Sequence, residues 1–189
     1  MINPKKKGSR NERNVAKLMG DWSGYEFART PQSGGLHWKK KYTSGDIVCI
    51  DERHGPRFAF SIECKFHEEL DLLHLIDSTI GKKSNKITLF WDQTTGDAKT
   101  VGKIPLLFMR RNGMKAGMQF VVMPTNFFLL WLSGIEPWDN KYGIFHYYKV
   151  HEGDDYNFTI INSEDLIITD YRIFHRLGRK VMRNVPSKI

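Results

Sequence analysis

A predicted β-hairpin in the first third of the chain limits its possible folds more than any other feature. Two runs rich in β-forming residues, Asp46–Ile50 and Phe58–Lys65, are separated by a short stretch that contains the turn-forming sequence His-Gly-Pro. Antiparallel pairing about that turn places residue 46 across from about residue 63 or 64. The hairpin therefore predicts that the carboxylates of Asp46 and Glu63 lie close together.

The second strand of this hairpin carries a charged pair. Strand side chains alternate between faces, so Glu63 and Lys65 point the same way, opposite to Ile62 and Cys64. Two carboxylates and an ammonium then converge, and carboxylate oxygens are the ligands that Mg²⁺ prefers. Such a group suits metal-dependent phosphodiester hydrolysis, with Lys65 orienting the attacking water or stabilising the developing charge. Taken alone, the pattern also fits an exposed Glu63–Lys65 pair with Asp46 capping a turn.

A helix predicted over residues 9–20 adds a third carboxylate. Ser9 and Glu12 match a capping box, and Gly20 provides a stop signal. On a helical wheel Glu12 falls within the apolar stripe, where an unpaired charge would be costly. The opposite side carries Arg10, Arg13 and Lys17. Glu12 therefore either caps its helix through Ser9 or reaches inward to a metal site, and both interpretations stay open.

The remaining patterns predict one compact α/β unit, because a chain of 189 residues can bury one substantial core. We expect further strands at 25–30, 104–110, 118–123, 144–150 and 158–161, and further helices at 68–79, 85–99 and from Pro124 or Thr125 to Leu132. Ser163 is a candidate cap for a short helix. Phe127, Phe128 and Trp131 recur at helical spacing and predict a helix packed on the sheet or at a subunit interface. We divide the chain into a core at 1–133 and a C-terminal elaboration at 134–189 that packs on it.

The formal net charge of +8 is unevenly distributed. Residues 1–41 contain ten Lys or Arg and three Asp or Glu, residues 171–189 contain six and none, and residues 42–170 carry a net charge of −5. A basic surface flanking an acidic centre suits a polyanion bound around a metal site. A basic solubilising tail explains the same charges equally well.

Several classes of protein are excluded or disfavoured. No apolar run approaches the roughly 20 residues that cross a bilayer, and no apolar segment follows the basic start, so we expect an intracellular protein. Cys49 and Cys64 lack the paired spacing of a zinc site and predict two reduced, mostly buried thiols. No phosphate-binding loop or dinucleotide fingerprint is present, so no nucleotide cofactor is expected. The acidic sequence His67–Asp71 lacks the second histidine of a zinc protease helix.

Four short motifs, in this order, resemble the PD-(D/E)xK nuclease superfamily. They are Gly8-Ser9-Arg10-Asn11-Glu12-Arg13, Arg29-Thr30-Pro31-Gln32-Ser33-Gly34-Gly35, Gly45-Asp46-Ile47-Val48 and Glu63-Cys64-Lys65. Within the superfamily, the chain is most similar to archaeal-type Holliday junction resolvases and related phage proteins, over about residues 7–123. The resemblance implies a restriction-endonuclease-like α/β (α+β) fold, in which helices flank a mixed central β-sheet.

The resemblance also implies the roles of individual residues. Glu12, Asp46, Glu63 and Lys65 would be catalytic, and Mg²⁺ or Mn²⁺ would be held by Asp46, Glu63, Glu12 and the backbone carbonyl of Cys64. The residues implied in binding nucleic acid are Arg10, Arg13, Arg29, Ser33, Gly34, Lys39, Lys40 and Lys41. A plain surface turn is the alternative for Ser33. Gln93 resembles a polar residue that some superfamily members place beside the metal, although a helix-surface glutamine has the same pattern.

The activity implied is cleavage of DNA. A resolvase-like homodimer would cut branched DNA or four-way junctions in recombination and repair, and a phage enzyme would act in the host cytoplasm. The long stretch from Gly35 to Asp46 and the long hairpin depart from a minimal resolvase and affect junction specificity more than cleavage. The alternatives are another nuclease of the superfamily, for end processing or restriction-type cleavage, and a module that binds nucleic acid without cutting it.

Overall fold

The structure is a computed structural model that describes residues 4–30, 44–72, 75, 85–135, 147–152 and 156–184. Its strands are β1 (Phe27–Arg29), β2 (Ile47–Cys49), β3 (Phe60–His67), β4 (Ile104–Arg111), β5 (Phe120–Pro124), β6 (Tyr147–Glu152) and β7 (Tyr156–Asn162). They form one seven-stranded sheet in the order β1-β2-β3-β4-β5-β7-β6. β3 and β4 are parallel and the other neighbouring pairs are antiparallel, so the sheet is mixed as predicted.

Helices cover both faces of this sheet. They are α1 (Pro4–Ser23), α2 (Lys86–Thr100), α3 (Thr125–Gly134), α4 (Ser163–Ile167) and α5 (Tyr171–Asn184). The apolar side chains of α1, α3, α4 and α5 share one core with one face of the sheet, whereas Ile87 and Trp91 of α2 pack in a second core on the other face. Phe127, Phe128 and Trp131 are fully buried, which confirms that α3 packs on the sheet. The predicted restriction-endonuclease-like α/β fold is confirmed.

The hairpin is formed as predicted, with its register fixed by the pairing of Ile47 with Ile62. Counting one residue outward along each strand aligns Asp46 with Glu63. Ile62 and Cys64 point into the core beneath α1, while the turn between the strands contains a short 3₁₀ segment, Gly55–Arg57. Cys49 and Cys64 are free thiols, half-buried and buried respectively.

The prediction for the first helix is wrong at both ends. α1 begins at Pro4, where a missing amide costs nothing, and so Ser9 and Glu12 lie inside the helix and cannot form a capping box. Gly20 does not end the helix, which continues to Ser23. Gly24 follows with a φ of 74°, and its amide donates to the carbonyl of Gly20, so Gly24 provides the stop.

Two other helix predictions need correction. Residues 68–72 are not helical, so the helix predicted at 68–79 does not begin at 68, and most of the remaining segment lies outside the described residues. Asn162, rather than Ser163, is the N-cap residue of α4. Ser163 is the first helical residue, and its hydroxyl accepts a hydrogen bond from the Gln119 amide at 3.0 Å. The hydroxyl therefore joins α4 to the start of β5.

The C-terminal third extends the sheet, because β7 pairs with β5 and β6 pairs with β7. The division of the chain at residue 133 remains a prediction. Among the helices described, none has the length and hydrophobicity needed to traverse a membrane.

Candidate active site

Gly45 and the strand opposite it fix the position of Asp46. Gly45 has a φ of 89°, and an ideal Cβ atom there would lie 2.3 Å from the carbonyl oxygen of Ile62. Glycine therefore lets the chain pass this close to β3. The Asp46 amide donates to that same oxygen at 2.7 Å, and the Cys64 amide donates to Oδ2 of Asp46 at 2.9 Å. Both the backbone and the side chain of Asp46 are thus held against β3.

Glu63 and Lys65 lie on one face of β3, as the strand alternation predicts. Lys65 Nζ donates to Oε1 of Glu63 at 2.8 Å and to Oε1 of Gln93 at 2.9 Å. Gln93 extends from α2, and its Nε2 lies 3.4 Å from the same Glu63 oxygen. A lysine ammonium has three N–H donors, so this arrangement leaves one for a bound phosphate or water.

Glu12 lies at the buried side of α1 and pairs with Arg29 on β1, whose Nε donates to Oε2 of Glu12. The guanidinium offsets the cost of burying the Glu12 carboxylate. Helix capping, one of the two interpretations of Glu12, is therefore wrong. The sequence does not reveal this pair, because no local pattern relates a residue of α1 to one of β1. The family resemblance assigns Arg29 to phosphate binding instead.

The electrostatics of Asp46 show that acidic groups converge here. Burial, followed by the negative charge of Glu63, raises the pKa of Asp46 to about 6, and Glu12 adds a smaller contribution in the same direction. The Cys64 amide and Lys65 oppose the shift without cancelling it. Because two neighbouring carboxylates, Glu63 and Glu12, help to raise the pKa of this half-buried group, a bound cation would stabilise its ionised form.

The donor atoms at this site fit a hard divalent cation. Asp46 and Glu63 would hold it through carboxylate oxygens, the ligand type that Mg²⁺ and Mn²⁺ accept. The Cys64 thiol is buried and its pKa is raised well above its ordinary value, so the thiol stays protonated and offers no ligand. Over the described residues no three His, Cys, Asp or Glu side chains are already arranged to hold a metal. Glu12 and the Cys64 carbonyl therefore remain predicted ligands.

The segment that holds Ser33, Gly34, Lys39, Lys40 and Lys41 lies outside the described residues. The two residues that flank it are nevertheless tied to the site. The Thr30 amide donates to the Asp46 carbonyl at 2.8 Å, and the Thr30 hydroxyl donates to the Gly45 carbonyl at 2.8 Å. At the other end, the hydroxyls of Ser44 and Ser61 are hydrogen-bonded. The segment therefore leaves and rejoins the described fold beside Asp46.

Arg10 and Arg13 are exposed on the outer side of α1, as predicted. Arg10 also lines a groove of about 290 Å³ between α1 and the connection from β4 to β5, together with Lys7, Phe66 and Arg111. Lys7 lies over the Phe66 ring, and Phe66 points to the face of β3 opposite to Lys65, so this basic groove lies on the α1 side of the sheet. Lys7 and Arg111 were not among the predicted contacts, because their shared groove depends on the packing of α1.

The mixed sheet carries an aspartate just before one hairpin strand and a Glu-x-Lys pair on the next strand, and the helix packed against it carries a glutamate. This is the arrangement of the PD-(D/E)xK nuclease superfamily, to which the chain belongs. Residues 3–171 match the profile of the family described as "Phage putative PDDEXK endonuclease", and the chain belongs to this family of phage nucleases. The match extends beyond residue 123, where the predicted resemblance ended. No curated protein and no solved structure matches the chain.

We expect Gln93→Ala to slow DNA cleavage by about tenfold, because the amide oxygen that orients Lys65 is lost while the carboxylates remain. The measurement is the single-turnover cleavage rate at saturating metal. Lys99→Ala, on an exposed position of the same helix, is the matched control and should cut at the unmodified rate. If both variants cut equally fast, Gln93 is a surface glutamine.

Proposed function

We propose that this phage nuclease is a Mg²⁺-dependent DNA endonuclease that acts as a homodimer on branched DNA such as four-way junctions. The observation that carries the proposal is the convergence of Asp46, Glu63 and Lys65 on one hairpin. Mg²⁺, for which Mn²⁺ is a natural substitute, would supply a water of lowered pKa and neutralise charge on the scissile phosphate.

The protein's own residues have separate tasks in this proposal. Asp46 and Glu63 present carboxylate oxygens towards the cation, while the Cys64 amide keeps the Asp46 carboxylate from rotating away. Lys65, held by Glu63 and Gln93, keeps one N–H donor for the attacking water or for a phosphate oxygen. Arg29 balances the charge of Glu12 in the metal-free protein and can transfer its donors to a phosphate when DNA binds.

Branched DNA is proposed as the substrate on two grounds. The motif order is most similar to that of junction resolvases, and the chain offers basic residues for DNA: Lys7, Arg10 and Arg111 line a groove beside α1, and the sequence between Thr30 and Ser44 contains Lys39, Lys40 and Lys41. A homodimer would present two active sites to the two strands that are cut at a junction.

The test compares a four-way junction with a linear duplex of the same sequence, each with Mg²⁺, with Mn²⁺ and with a chelator. We expect cleavage with either metal, none with the chelator, and junction cleavage faster by on the order of tenfold, which corresponds to about 1.4 kcal/mol. Glu63→Gln serves as the inactive control. Sedimentation of the protein on the junction reports whether two chains bind.

Each other outcome selects a different function. Equal rates on the junction and the duplex contradict junction specificity and favour restriction-type cleavage, whereas release of mononucleotides from ends favours end processing. Binding without any cleavage under all metal conditions would leave a nucleic-acid-binding protein that does not cut.

A further inference from the structure

The last helix of the described chain, α5, is held to the core by its apolar face. Phe174 is fully buried and stacks on Phe60 of β3, with ring centroids 4.7 Å apart. Gly178 faces the same ring so closely that an ideal Cβ atom would lie 2.5 Å from Phe60 Cζ. Leu177 similarly approaches Gly134 of α3. The contacts leave no freedom for α5 to rotate, so its other face has a fixed direction.

That other face carries a stripe of arginines. Arg172, Arg176, Arg179 and Arg183 follow one another at intervals of four, three and four residues, which places them on one side of a helix. The stripe extends over about 16 Å at 1.5 Å per residue. Phosphates on one DNA strand repeat every 3.4 Å or so along the axis, so the stripe can face several of them.

The arginine stripe forms one wall of a groove of about 910 Å³, and the turn of the β2–β3 hairpin forms the other. Arg53 and Arg57 project from the turn, and Lys180 adds to the helix side. Among the described residues, seven Lys or Arg side chains and one carboxylate, Asp51, line the groove. Such a concentration of positive charge in a concave surface attracts a polyanion.

Most of these cations have no ion-pair partner in the part of the chain that the structure describes. Arg172 pairs with Asp170 at 2.7 Å, but Arg53, Arg57, Arg179, Lys180 and Arg183 form no ion pair with any residue that the structure describes. Repulsion among these cations destabilises the fold when no ligand is bound, and a bound anion would remove that repulsion.

The base of the groove is rigid and uncharged. Burial lowers the pKa of His54, and burial together with His54 lowers that of His175 to about 4, so both imidazoles are neutral at physiological pH. His54 is hydrogen-bonded to the Tyr171 hydroxyl and stacks on Tyr25, while His175 lies within hydrogen-bond distance, 3.1 Å, of the Arg57 carbonyl. These contacts join α5 to the hairpin turn and fix the width of the groove.

The groove is separate from the acidic cluster. Among the described residues that line the groove, none belongs to the acidic cluster of Glu12, Asp46, Glu63 and Lys65. The groove adjoins the turn end of the hairpin, whereas Asp46 and Glu63 face each other at its open end. The two sites can therefore contact one DNA molecule at different places.

We propose that the groove between the hairpin turn and α5 binds the sugar-phosphate backbone of a duplex arm of DNA, away from the bond that is cut. The proposal rests on the proposed function, since it takes DNA as the substrate of the acidic cluster. It adds a second contact that positions the arm and is independent of the metal.

The test is the salt dependence of binding to a duplex of about 30 base pairs with a chelator present, so that no cleavage occurs. The triple variant R176Q/R179Q/R183Q keeps helix-forming residues and removes three cations. Because each phosphate contact contributes about 0.9 to the slope of log K against log[salt], we expect the slope to fall by about 2 to 3 and the affinity by at least about tenfold.

Two further variants and a footprint sharpen the test. K17Q/K99Q removes two cations from exposed positions of α1 and α2, outside the acidic cluster and both grooves, and should leave the slope unchanged, whereas R176K/R179K/R183K should restore it. Hydroxyl-radical protection of the duplex should shorten at one end with the glutamine triple. An equal loss of slope in K17Q/K99Q overturns the inference. So does an unchanged slope and footprint in R176Q/R179Q/R183Q when this variant has normal thermal stability. A cleaving Asp46→Asn variant would overturn the catalytic proposal and leave this one standing.

Discussion

Asp46→Asn should abolish cleavage and at the same time make the metal-free protein more stable. Loss of one of the two hairpin carboxylates removes several kcal/mol of charge stabilisation, so the cleavage rate should fall by at least about a thousandfold. Asparagine keeps an oxygen that can accept the Cys64 amide, so the backbone around β2 and β3 should not move. The rate is measured at saturating Mg²⁺ on the preferred DNA substrate.

The stability effect has a defined pH dependence. Burial and the charge of Glu63 raise the pKa of Asp46 from 3.8 to about 6, so the folded protein holds this proton more tightly than the unfolded chain does. The free energy of unfolding therefore falls as pH rises from about 4 through about 6. Asparagine does not ionise, so the variant should exceed the unmodified protein by about 1–3 kcal/mol at pH 8 and match it below pH 4.

Chemical denaturation of both proteins in chelator, at pH values from 4 to 8, measures this difference. His54 and His175 are present in both proteins, so the difference reports removal of the Asp46 charge together with its interaction with Glu63. Asp97→Asn, an exposed acid on α2, is the matched control and should show neither effect. Added Mg²⁺ should then raise the melting temperature of the unmodified protein and not that of Asp46→Asn. An Asp46→Asn variant that cuts at the unmodified rate would contradict the assignment of the site.

Gly45→Ala should cost both stability and activity, although it adds a single methyl group beside the site. The methyl carbon would overlap the Ile62 carbonyl, and alanine disfavours a φ of 89°. Relief of the overlap requires β2 to move away from β3, which displaces Asp46. We expect a loss of about 2–4 kcal/mol in the free energy of unfolding and a cleavage rate lower by about a hundredfold.

The variant Gly102→Ala is the control that introduces backbone strain without displacing Asp46. Gly102 also has a positive φ, 65°, but no atom lies within 4 Å of its ideal Cβ position. Its substitution should therefore cost about 1 kcal/mol and leave cleavage unchanged. Denaturant unfolding and the cleavage rate at saturating Mg²⁺ are compared for the two variants. Equal activity in both would mean that the position of Asp46 does not depend on Gly45.

The sequence predicted the part of the site that depends on local geometry. Strand alternation placed Glu63 and Lys65 on one face, and the hairpin turn placed residue 46 opposite residue 63, since both relations follow from the regular spacing of β-strands. Helical spacing in the same way predicted the buried apolar face of α3. These features repeat every two or every three to four residues, so a pattern of side chains reveals them.

The features that sequence reasoning missed join segments that are distant along the chain. The Glu12–Arg29 pair and the groove of His54 and His175 depend on how α1 and α5 dock, and no local pattern contains that information. The capping box at Ser9 failed for a different reason. Its residues satisfy the motif, but Pro4 starts the helix earlier, and a helix that already has a preceding turn has no free amides to cap.

One strand, β3, connects the two sites proposed here, the groove beside α5 and the acidic cluster. Near its start, Phe60 supports the helix with the arginine stripe, and three residues later Glu63 begins the Glu63–Lys65 pair. Hydrogen bonds to β2 on one side and β4 on the other keep this strand from stretching. β3 would therefore act as a molecular ruler that sets a constant distance between the DNA backbone bound in the groove and the bond that is cut.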